Sequence, residues 1–183
     1  MITRTFFLLL LLGLVLFAPA ATAQTRDHLT PQEVDLIKEA QVLDKRIDVF
    51  IKAADRRLLV INGGAAANAK QLKKDAERWG ELPTGSRAEL ISDIARILDE
   101  AITNIDDVSA RDERNPLIAK SLRRLAQATN TIMEQLKPLR GSAKGDAEIA
   151  SFETLNENAQ SIFEAVTKLP PEVDKKGKAK NNN

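Results

Sequence analysis

The side chains able to do chemistry are few, and their spacing limits what that chemistry is. The 183-residue chain has one histidine, His28, and no cysteine. Lacking Cys, it forms no disulfide, thiolate metal site, iron–sulfur cluster, covalently attached c-type haem or lipidated N-terminal cysteine. Di-iron helical proteins use inward glutamates with Glu-x-x-His pairs, and this sequence has no Glu-x-x-His. Haem ligation by His28 with Met133 would join a residue ahead of the first expected helix to one on a packed helix. A lone His outside the expected fold is also a poor general base, and no Gly-x-Ser-x-Gly elbow supplies a nucleophile. Paired carboxylates occur at Asp106–Asp107 and Asp112–Glu113, and oxygens of this kind suit calcium. Arg111 and Arg114 are interleaved with them and no EF-hand spacing is present, so a surface ion-pair cluster is the expected role. No cofactor, metal or catalytic residue is therefore expected, and the chain reads as a non-enzyme.

Met1–Ala23 has the pattern of a secretory signal peptide. Arg4 gives a positive start, Phe6–Phe17 is a 12-residue apolar run, and Ala21-Thr22-Ala23 is a small-x-small cleavage site. Ala18-Pro19-Ala20 is the neighbouring alternative site. Twelve residues fall short of the roughly 20 that a membrane-spanning helix needs, and no later stretch is as apolar. Without residues 1–23, whose only charge is Arg4, 26 basic and 26 acidic side chains remain. Zero net charge argues against nucleic acid as a partner, because a phosphate-tracking surface normally leaves a basic excess. The expected product is exported, periplasmic or secreted, with no transmembrane segment and another envelope protein as its partner.

The elements that would hold any site are helices, since apolar residues recur at steps of three and four. Thr30-Pro31-Gln32-Glu33 has the form of a capping box with Pro at the first helical position. The stripe Leu36, Ala40, Leu43, Ile47, Phe50, Ala54, Leu58, Ile61 then predicts one helix of about 31 residues, or ~46 Å, ended by Asn62-Gly63-Gly64. Ser86-Arg87-Ala88-Glu89 opens the second helix, along Leu90, Ile94, Ile97, Ala101, Ile105 and Val108. The third runs from Asn115-Pro116 through Ile118, Leu122, Leu125, Thr129, Ile132 and Leu136, with Pro138 as its stop. The fourth starts near Asp146, carries Ile149, Phe152, Leu155, Ala159, Ile162, Val166 and Leu169, and ends at Pro170-Pro171.

Short links join helices two, three and four and require antiparallel neighbours. The link from Asn62 to Gly85 is long, permits an antiparallel or a crossover arrangement, and has room for a short helix over 71–78. The expected architecture is an all-α four-helix bundle over residues 24–170, with residues 171–183 as a disordered polar tail.

Two features bear on binding. Trp79, the only tryptophan, lies with Leu82 in the long link. The pair either docks on the bundle and pins the link, or anchors a glycan or protein partner, as Trp does at binding hot spots. Helix one is expected to outrun its neighbours, so that Leu58 and Ile61 form an exposed apolar end needing Trp79, the link or a partner to cover it. Leu29-Thr30-Pro31-Gln32-Glu33 also resembles the Leu-Thr-x-x-Gln motif of the Spy/CpxP family of periplasmic helical stress proteins, with Glu33 standing where that motif has Gln. The resemblance implies a client-binding chaperone or envelope-stress protein. Helix capping alone also accounts for the same five residues.

Overall fold

A computed structural model describes residues 26–170, and the expected signal peptide and polar tail lie outside them. Six helices and no strand are found among the described residues: α1 (Pro31–Glu39), α2 (Leu43–Ile61), α3 (Ala69–Trp79), α4 (Arg87–Arg111), α5 (Leu117–Arg140) and α6 (Asp146–Thr167). The all-α class holds, but the count is six rather than four. Both capping boxes form. Thr30 Oγ1 accepts from the Glu33 amide and Ser86 Oγ from the Glu89 amide, while each glutamate side chain accepts from its cap residue's N–H.

The single long first helix does not exist. The chain breaks at Ala40–Val42, although Ala40 and Gln41 are good helix formers. The reason is tertiary. A continuous helix would hold residues 33 and 57 about 36 Å apart, yet Arg57 Nη1 lies 2.7 Å from Glu33 Oε1. Folding α1 back onto α2 makes that bond possible. Arg46 Nε donates to the Ala40 carbonyl at 2.9 Å and so satisfies a backbone group freed at the break. Pro138, by contrast, does not stop α5. The helix continues to Arg140, so Pro138 sits in its last turn and leaves the Glu134 carbonyl without its ordinary donor.

Side-chain pairs settle the directions of the long helices. Arg46 meets Asn104 and Arg57 meets Asp93, so α2 and α4 are antiparallel and the long link does not cross over. Asp44 meets Lys120 and Asn62 meets Gln135, making α2 and α5 parallel. Arg87 meets Glu148 and Asn158 donates to the Ala95 carbonyl, making α4 and α6 parallel. Around the core the order is α2, α4, α6, α5, with α4 and α5 also touching across it, while α1 packs on α2 and α3. Ile47, Phe50, Ile94, Ile97, Leu98, Leu125, Ile132, Leu155 and Ile162 are fully enclosed there.

Ser121 and Thr129 of α5 are also fully buried, and their hydroxyls lack a partner among the described residues. An unmade hydrogen bond in such a place costs stability. Thr129→Val keeps the shape and removes the orphan, so thermal or urea denaturation should show a gain of about 1 kcal/mol.

The Arg87–Glu148 pair fixes α4 to α6 and is pH-sensitive. Hydrogen bonds from the Arg87 guanidinium, then from the Lys144 amide, hold the Glu148 carboxyl below its ordinary value of 4.5. A lowered carboxylate contributes stability that is complete above the unfolded value and is lost as pH falls through the folded one. The drop in melting temperature between pH 7 and pH 3 should therefore be smaller in Glu148→Gln than in the parent.

Candidate functional site

One corner of the molecule gathers the charged side chains that the long helices cannot leave in their core. Glu33 has no solvent exposure, and its two oxygens do separate work. Oε2 completes the α1 capping box, while Oε1 accepts from Arg57 at 2.7 Å and lies 3.4 Å from Arg56 Nε. Arg57, 1% exposed, also donates to the carbonyls of Ala53 at 2.8 Å and His28 at 2.6 Å. Its Nε stands 3.7 Å from Asp93, whose two oxygens accept from Arg26 at 3.2 and 2.8 Å. Burial pushes the Asp93 carboxyl up, against the pull of Arg26 and Arg57. Arg26 reaches on to the Thr84 carbonyl at 2.7 Å. Residues 26–33, α2, α4 and the chain before α4 are thus tied by charge-assisted bonds.

His28 belongs to this assembly instead of preceding the folded part. Its Nε2 is 2.9 Å from Glu100 of α4, and its own carbonyl accepts from Arg57. Both oxygens of Glu33 and of Asp93 are engaged within the cluster, so these carboxylates hold chain segments together. Among the described residues no group of three or more His, Asp or Glu lies close enough to hold a metal ion.

Arg56, beside Arg57 in sequence, extends from Glu33 to the long link and holds it. Its guanidinium donates to the carbonyls of Trp79 at 2.8 Å, Gly80 at 3.2 Å and Glu81, capping the C-terminal end of α3, and lies 5.6 Å from the centre of the Trp79 ring. Burial pulls this guanidinium below its ordinary value and Glu33 pulls it back. Gly80 turns the chain away with a φ of 67°, a conformation that glycine adopts without strain. Lys52 holds the middle of α3 through Asp75 at 3.1 Å.

Comparison with family models, with curated proteins and with solved structures finds no match for this chain. Trp79 and Leu82 are both half-buried and flank the Gly80–Glu81 stretch that Arg56 holds. Leu82 borders two clefts. One, of about 440 Å³, lies against Arg26, Leu29, Gln32 and Arg57, and the other, of about 290 Å³, lies under Leu72 and Ala76 of α3. Trp79 borders a third of about 420 Å³ with Leu36, Val49 and Arg78. No residue of α3 is buried, so the helix covers this corner without filling it.

Leu58 and Ile61 do not join Trp79 and Leu82. Leu58 is 4% exposed and Ile61 packs half-buried against the core. With the first helix broken, α2 is 19 residues long against 25 for α4, so no end projects. The expected ion-pair cluster between α4 and α5 is also absent. Arg111 Nε donates to the Asp107 carbonyl and Asp112 accepts from the Arg114 amide, and no ion pair forms there among the described residues.

Sequence reasoning missed Arg57 and Asp93 as buried residues. The signal was their register: Arg57 falls seven residues after Phe50 and four before Ile61, and Asp93 three after Leu90 and four before Ile97. Each charge interrupts an apolar stripe, and an inward charge requires a partner.

Proposed function

We propose that this is an exported, non-catalytic helical protein that binds another envelope protein through the Trp79–Leu82 corner, with α2, α4, α5 and α6 as a four-helix scaffold beneath it. The observation that carries this reading is the setting of that pair. Leu82 borders two clefts and Trp79 a third, while Arg56 locks the carbonyls of Trp79, Gly80 and Glu81 between them. An anchor held in place before binding loses little freedom when a partner arrives. The leader-like pattern of residues 1–23 supports export.

The test is crosslinking of the tagged protein in its native envelope, with mass spectrometry of what is captured. One dominant partner is expected, and Trp79→Ala with Leu82→Ala should cut its capture by roughly thirtyfold, the loss typical of a hot spot. Capture of that partner unchanged by both substitutions overturns the reading. Capture of a broad set of exported proteins, together with suppression of aggregation by the purified protein, replaces it with the Spy/CpxP-like chaperone reading.

A further inference from the structure

A second surface, on the side where α5 meets α6, has a different chemistry. Met133 and Leu136 of α5 and Phe152 and Leu155 of α6 line a slot of about 180 Å³, with Glu134, Lys137 and Arg140 at its margin. Leu136, Phe152 and Leu155 are at most 5% exposed, so the floor belongs to the packed core and the slot opens to one side. For scale, a cavity of about 150 Å³ lined by Leu, Ile and Phe admits benzene. The slot therefore has the bulk for the end of an alkyl chain and not for a whole lipid.

The apolar strip continues past the slot. Ile149, 45% exposed, is one of two large apolar side chains so exposed among the described residues, and it lies three residues before Phe152 on the same helix face. The five residues linking α5 to α6, Gly141 to Gly145, carry no bulky apolar group to cover it.

The charges at the margin define the ligand. Arg140 is in no ion pair among the described residues, and the carboxylate nearest Lys137 is Glu134 at 4.0 Å, with both of those side chains largely in water. Such a pair is weak, so the margin carries two cations against one solvated carboxylate, a net positive charge beside an apolar slot. We propose that this slot binds a fatty carboxylate, with its chain end among Met133, Leu136, Phe152 and Leu155, its middle over Ile149 and its headgroup on Arg140 and Lys137. Arg140 can hold a carboxylate with two parallel hydrogen bonds. The proposal is independent of the Trp79 corner.

Decanoate, kept below its micelle concentration, is the probe, titrated into isotope-labelled protein and followed by NMR. Saturable shifts confined to residues 133–155 are expected, with a dissociation constant on the order of 0.1–1 mM. The exposed double variant Lys137→Glu/Arg140→Glu should weaken binding about tenfold or more, as should exchanging decanoate for an uncharged ten-carbon amphiphile. Met133→Trp, at the half-buried rim, should block the slot, whereas Trp79→Ala should leave binding unchanged. Absence of saturable shifts, shifts centred elsewhere, or equal binding by the charge-reversed variant overturns the proposal.

Discussion

Arg57→Met is expected to destabilise the protein by about 3 kcal/mol, the cost of removing one partner from a buried ion pair. The substitution keeps most of the side chain's volume but leaves the Glu33 carboxylate enclosed with only Arg56 Nε, 3.4 Å away, to compensate it. It also removes the donor to the His28 carbonyl. Glu33→Gln in the same background should recover part of the loss, because Gln still completes the capping box and no charge remains to be neutralised. Urea unfolding of the two single variants and the double variant measures the coupling. Strictly additive losses would show that the two side chains act separately.

Phe50→Ala is the other large effect, expected at 3–5 kcal/mol. Phe50 is the largest apolar side chain with no exposure among the described residues, in a chain whose aromatic content is only 4%. The aliphatic neighbours cannot collapse far enough to fill the space it leaves. At roughly 2–4 °C per kcal/mol for a chain of this size, the melting temperature should fall by roughly 6–20 °C. A loss under 1 kcal/mol would mean that the core around α2 repacks freely.

The ends of the helices were legible because their causes are local. Capping boxes at Thr30 and Ser86, the Asn62-Gly63 stop and the start after Gly145 depend on residues within one turn, and each holds. The break at Ala40–Val42 was not legible, because nothing within those residues disfavours a helix. It is imposed by bonds from Arg57 to residues 24 and 29 positions away. The same division applies to the site. Trp79 and Leu82 stood out by type and position, and Leu58 by its apolar stripe, but which of them remain accessible depends on how α3 and the broken first helix fold back. Periodicity also placed Ile149 on the inward face, since a pattern cannot show that the last turn of a neighbouring helix fails to cover it.

The tie between Arg26 and Asp93 also sets an order of events during synthesis. These residues are 67 positions apart, which at 5–20 residues per second means roughly 3–13 s between their appearances. Glu33 and Arg57 can meet sooner, but Arg26 waits for α4 to be made. The earliest part of this corner is thus among the last to close, and a bulky fusion placed directly before Arg26 would load that late contact ahead of any other.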